Sequence, residues 1–173
     1  MTLTLRRFKT SILRSIPLIL LYFLSVTEID TEFSNLFEIL SFNLQLIIIY
    51  YWMLKLPSIV GNGHIFFVGI INDVIMSLPL GTSALGYLLA SFIASYIRNV
   101  TVNQSLFTEW FTFLIAIFFS NFSYYLIISN FTGMEVTYID LFYNSFFTFL
   151  FFPFFWFIFN TYSSIINLKS TDD

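Results

Sequence analysis

Long apolar runs separated by short polar clusters dominate the chain. A helix needs roughly 20 apolar residues to cross a bilayer core. On that measure the runs at 11–26, 36–54, 59–78, 82–97, 110–129 and 139–166 predict six helices. The first and fourth are short, at about 16 residues against that length, so they stand upright or borrow flanking residues such as Arg14, whose stem reaches the interface. The sixth is overlong and holds Pro153, which predicts a kink or an interfacial lead-in before the span. Barrel strands would alternate polar and apolar positions, and the stretch 146–159 shows no such alternation.

Composition narrows this pattern to one class. Only 10% of the 173 residues are charged, against roughly 25% in soluble domains, and 58% are hydrophobic. That is too little polar surface for a soluble globule. The 25 Phe, 10 Tyr and 3 Trp exclude a disordered chain as well. Residues 1–173 therefore read as one integral membrane domain, an all-α polytopic bundle of six transmembrane helices. The absence of cysteine removes disulfides, thiolate metal sites and a cysteine nucleophile together.

Charge sets the expected orientation. The net charge of −3 says little, but its distribution is asymmetric. Arg6, Arg7, Lys9 and Arg14 precede the first run as in a signal peptide, yet no small-x-small cleavage site follows, so an uncleaved first span is expected. With that end inside, the turn at Lys55, the loop from Arg98 to Glu109 and the tail with Lys169 are inner. Glu28, Asp30, Glu32, Glu38, the turn 77–81, Glu135 and Asp140 are outer. All seven basic residues then fall on the inner side or its edge, as the positive-inside rule requires, in an N-in, C-in topology.

Candidate chemistry is sparse. Asp73 is the acid deepest in any run, with Asn72 beside it and Gly69 one turn earlier. A carboxylate at a span centre costs about 2.5–3.5 kcal/mol on insertion scales. Asp73 lies about 7 Å from the outer edge at the helical rise, with every basic residue at the opposite face, so its partners are expected among the hydroxyls of Thr82 and Ser83 and the free amides of the next helix. A structural clasp and a functional contact are both open.

In the fourth run Gly86, Ala90 and Ala94 recur every four residues beside Ser91 and Ser95, a stripe that admits a close neighbour. It serves either a partner interface or intramolecular packing. Because the turn 78–81 is short, the third and fourth runs are antiparallel neighbours, and the stripe is expected to seal that hairpin.

The single histidine, His64, follows a Gly61-Asn62-Gly63 turn and lies about 13 Å along the helix from Asp73. It builds neither a metal site nor a dyad. No phosphate-cradling glycine loop, serine elbow or close acid pair is present. The expectation is a non-enzymatic protein with no catalytic, metal or cofactor residues. The basic residues at the start suit anionic lipid headgroups rather than nucleic acid. No internal repeat relates the two halves, and the Phe-rich sixth run reads as aromatic side chains facing lipid.

Leu56-Pro57, then Gly69-x-x-Asn72-Asp73, Leu78-Pro79-Leu80-Gly81, and the small-residue fourth run resemble the rod shape-determining MreD family, with Pro153 matching its late proline-containing helix. Ser77 stands where the family often has Gly. The resemblance implies a non-catalytic scaffold of the bacterial inner membrane, within the cell-wall elongation complex. Its partners would be MreC, MreB, RodA and a class B penicillin-binding protein. Gly69, Asn72, Asp73, Pro79, Gly81, Gly86 and Ala90 are the structural or partner-binding candidates. The family's six-helix fold is similar to the substrate-binding subunits of energy-coupling-factor transporters, which leaves a vitamin-binding subunit as the rival. Such a binder would show an outward polar pocket and a small-residue stripe on its first helix, where this chain has only Ser11 and Ser15.

Overall fold

The structure is a computed structural model that describes residues 2–27, 43–101, 105–131 and 138–171, with side chains in the range 12–166. It is all-helical, and no strand occurs among the described residues. The helices are α1 (Thr2–Val26), α2 (Leu44–Lys55), the single turn α3 (Pro57–Val60), α4 (Asn62–Ile75), α5 (Thr82–Val100), α6 (Leu106–Phe131) and α7 (Tyr138–Thr171).

α2 is the axis of the fold. Every residue from Gln45 to Leu54 is buried, as befits a helix apolar on all sides. α1, α5, α6 and α7 all pack around it. Asn43 caps it by accepting the Leu46 amide, while its own amide donates to the Thr148 hydroxyl of α7. Tyr50, Phe113 and Phe152 form an aromatic centre where α2, α6 and α7 meet.

Two prolines sit inside helices, and in both cases another helix compensates. Proline lacks the amide that would bond the carbonyl four residues earlier. For Pro17 that carbonyl belongs to Leu13, and it accepts the Tyr162 hydroxyl of α7 at 2.6 Å. For Pro153 it belongs to Phe149, and it accepts the Trp110 indole of α6 at 2.8 Å. α7 consequently runs unbroken through Pro153.

Several boundaries differ from expectation. α1 and α5 are not short: they hold 25 and 19 residues, because helix extends over the basic start and through Arg98. The third run is not one helix. It breaks at Gly61, whose φ of 54° interrupts the ladder between α3 and α4. α1 also meets the others at their Lys55 end, since Tyr22, four residues before its terminus, bonds His64 in the first turn of α4. Residues 36–42 of the second run, and Glu28, Asp30, Glu32, Glu38 and Glu135, lie outside the described residues. Among the described residues two helices are long and apolar enough to cross a membrane, at Leu106–Phe131 and Tyr138–Ile166. Phe118, Phe122, Phe142, Phe146, Phe154 and Phe157 on them are exposed.

Candidate functional site

The site grows from the α4–α5 hairpin. Gly69 is buried against α5 so closely that an added Cβ would lie 2.3 Å from the Ala84 Cα. Only glycine allows the two backbones to meet there. That approach brings the end of α4 under the start of α5 and delivers Asp73, which is fully buried, to the amides of α5. Asp73 Oδ2 accepts the Gly81 amide at 2.8 Å, and Oδ1 accepts the Ser83 amide at 2.7 Å. The carboxylate is thus held by charge-assisted bonds at a helix N-terminus. No described cation pairs with it.

The turn between them is built for this. The Thr82 amide and hydroxyl both donate to the Pro79 carbonyl. Gly81 has φ 101°, a left-handed geometry that favours glycine. Ser77 also sits at positive φ, 53°, without being glycine. This is the position where the resemblance calls for Gly, and the turn closes there with serine.

The expected amide partners of Asp73 are found, whereas the expected hydroxyl partners are not. Thr82 spends its hydroxyl on Pro79, and the Ser83 hydroxyl accepts from Asn72 Nδ2 at 3.0 Å. Asn72 in turn accepts from Gln45 Nε2, and Gln45 accepts the Tyr87 hydroxyl. This relay ties α2, α4 and α5 together beside the clasp.

The small-residue stripe needs a correction. Its members are buried inside the chain, but Gly86 does not seal the α4–α5 hairpin: Gly69 against Ala84, and Ser91 donating to Asn62 Oδ1 at 2.7 Å, hold that pair together. Gly86 faces α6, where its carbonyl accepts the Ser120 hydroxyl at 2.7 Å. A helix has several faces, and α5 uses Ala84 and Ser91 for α4, Gly86 for α6 and Tyr87 for α2. Ala90 is fully buried within the core.

Between α2, α4, α5, α6 and α7 lies an open cavity of about 520 Å³. Asn43, Asn72, Thr82, Ser83, Ser120, Asn121, Tyr124, Asp140 and Asn144 supply its polar wall, and no Lys or Arg lines it among the described residues. A second cavity, of about 500 Å³, is apolar and runs between α6 and α7.

A polar centre that sequence reasoning missed occupies the opposite end. Glu109 is 1% exposed, pairs with Lys55 Nζ at 2.5 Å and accepts the Trp156 indole at 2.6 Å. Arg98 Nη1 donates nearby to the Met53 carbonyl at the end of α2. Glu109, expected at the end of the loop from Arg98, lies instead in the first turn of α6. Its one signal was an acid flanking an apolar run beside Trp110. His64 is exposed, and no cluster of three metal-ligating side chains occurs among the described residues.

No family model, curated protein or solved structure matches the chain.

Proposed function

We propose that the chain is a non-catalytic, multi-pass scaffold of the bacterial inner membrane that acts in cell-wall elongation through partners of the MreC, MreB, RodA and penicillin-binding class. The observation that carries this reading is the Gly69–Asp73–Gly81 clasp. Of the residues that bear the MreD resemblance, those from Gly69 to Ala90 form one hairpin, and its carboxylate is engaged by backbone amides. Such a group organises a bundle, since each of its oxygens is already engaged by a main-chain amide of the neighbouring helix. Charge sorting supports membrane embedding. Lys55, Arg98 and Glu109 gather at one end of the fold, and Asn43, Asp73 and Asp140 at the other, the sorting that the positive-inside rule gives the helices after the first, whereas the Tyr22 end of α1 lies at the Lys55 end and departs from an N-in first span.

One observation favours the second reading, a small-molecule binding subunit of an energy-coupling-factor type transporter. The polar cavity opens at the Asp73 end, which that sorting places outside. Affinity capture of the tagged protein from native membranes separates the two. Recovery of cell-wall synthesis proteins is expected, and recovery of transporter ATPase subunits would overturn the scaffold reading.

A further inference from the structure

The polar cavity and the apolar groove are not separate. Asn121 and Leu141 line both. At that shared wall Asn121 Nδ2 donates to the Ser145 hydroxyl at 2.6 Å, and Ser145 donates to the Leu141 carbonyl, so the boundary between polar and apolar space is held across α6 and α7. On one side stand amides and hydroxyls. On the other stand Leu114, Phe118, Phe122, Phe142 and Phe146, whose aromatic members are exposed and open the groove sideways.

We infer that the joined cavities take one amphiphile, a membrane lipid with an uncharged, hydroxyl-rich headgroup in the polar cavity and a hydrocarbon chain in the groove. This rests on the membrane reading above. The headgroup chemistry follows from the lining. With no Lys or Arg among the described residues of the wall, and with the exposed Asp140 making no ion pair among them, a phosphate would meet a like-charged carboxylate and no described counter-charge. Most wall amides are engaged within the fold, Asn43 with Leu46, Asn72 with Gln45 and Ser83, and Asn121 through Nδ2 with Ser145, which leaves Asn121 Oδ1 as an acceptor for a headgroup hydroxyl. The Tyr124 hydroxyl lines the cavity and forms no hydrogen bond within the described residues, so it is available to a headgroup. A small water-soluble ligand would fill only the polar half and leave the groove unused. An acyl chain enters that groove directly from the bilayer, where burial of each CH₂ is favourable.

The test reconstitutes the full chain into nanodiscs containing equal amounts of diacylglycerol glucoside and phosphatidylglycerol with the same chains, then reads retained lipid by native mass spectrometry. The glucoside lipid is expected to be retained over phosphatidylglycerol by about tenfold, and free glucose should not displace it. Tyr124→Phe removes one hydroxyl and should lower retention by about fivefold. Leu141→Trp blocks the junction and should abolish retention. Equal retention of phosphatidylglycerol, or displacement by glucose alone, overturns the proposal. So does parent-like retention in Tyr124→Phe, a variant small enough to fold even if Leu141→Trp does not. Extraction of the parent by alkaline carbonate would instead defeat the membrane reading itself, which separates the two failures.

Discussion

Two carboxylates are buried to the same degree at opposite ends of this fold, and they are held in opposite ways. Asp73 is 0% exposed and is answered by two backbone amides of a neighbouring helix, with no described cation. Glu109 is 1% exposed and is answered by an ammonium and an indole. The first is neutralised by the orientation of peptide dipoles, the second by an opposite charge. The difference lies in sequence separation. Asp73 reaches residues 8 and 10 positions ahead, across one turn. Glu109 reaches partners 54 and 47 positions away on two other helices. The amide-held acid therefore depends on the tightness of one hairpin, and the ion-paired acid on the assembly of three helices.

The largest effect should come from Gly69→Ala. Its Cβ would fall 2.3 Å from the Ala84 backbone, so α4 and α5 must separate and the amides withdraw from Asp73. Most of the monodisperse protein should be lost in fluorescence-detected size exclusion. A parent-like peak would mean that the close approach does not set the clasp.

Lys55→Met strikes the other end by leaving Glu109 buried without its cation, at a cost of about 3 kcal/mol. The low side of the range applies because Lys55 is 20% exposed. Adding Glu109→Gln should restore part of the loss in denaturant unfolding in micelles. No recovery in the double variant would show that the pair contributes more than mutual neutralisation.

Asp73→Asn keeps one acceptor oxygen for one amide but turns an NH₂ toward the other, so a loss of about 1–3 kcal/mol is expected. Partner recovery per folded molecule should stay at the parent level, because the side chain is spent internally. A selective fall in partner recovery at normal abundance would instead assign Asp73 to an interface.

The smallest effect is a gain. Ser77 holds φ 53°, which glycine adopts without the steric cost that other residues incur, so Ser77→Gly should raise stability by about 1 kcal/mol. An unchanged or lower midpoint would show that the serine side chain offsets its backbone strain.

The clasp was legible because its parts are adjacent. A lone acid near a run's end, a Pro-Leu-Gly turn and a helix start leave few geometries, and the amide partners of Asp73 follow from the free N–H groups that every helix start presents. Which small residues touch which helix was not legible. Gly86, Ala84 and Ala90 are alike as apolar, small positions, and only the rotation of α5 about its axis separates the face toward α6 from the face toward α4. The break at Gly61 was half legible, since the Gly61-Asn62-Gly63 turn marks the helix entry found there, while the apolar residues before it carry the run back across the turn.

Residue chemistry and local spacing alone dictate an all-helical class, the places of the apolar helices and a hairpin closing on Asp73, because these rest on hydrogen bonds and sterics among residues close in sequence. The tertiary arrangement chose α2 as the buried axis, paired Glu109 with Lys55 and Trp156, and sent Tyr162 and Trp110 to the carbonyls freed by Pro17 and Pro153. Each of those contacts joins residues dozens of positions apart, where the partner is selected by how helices pack and not by any preference written in the segment itself.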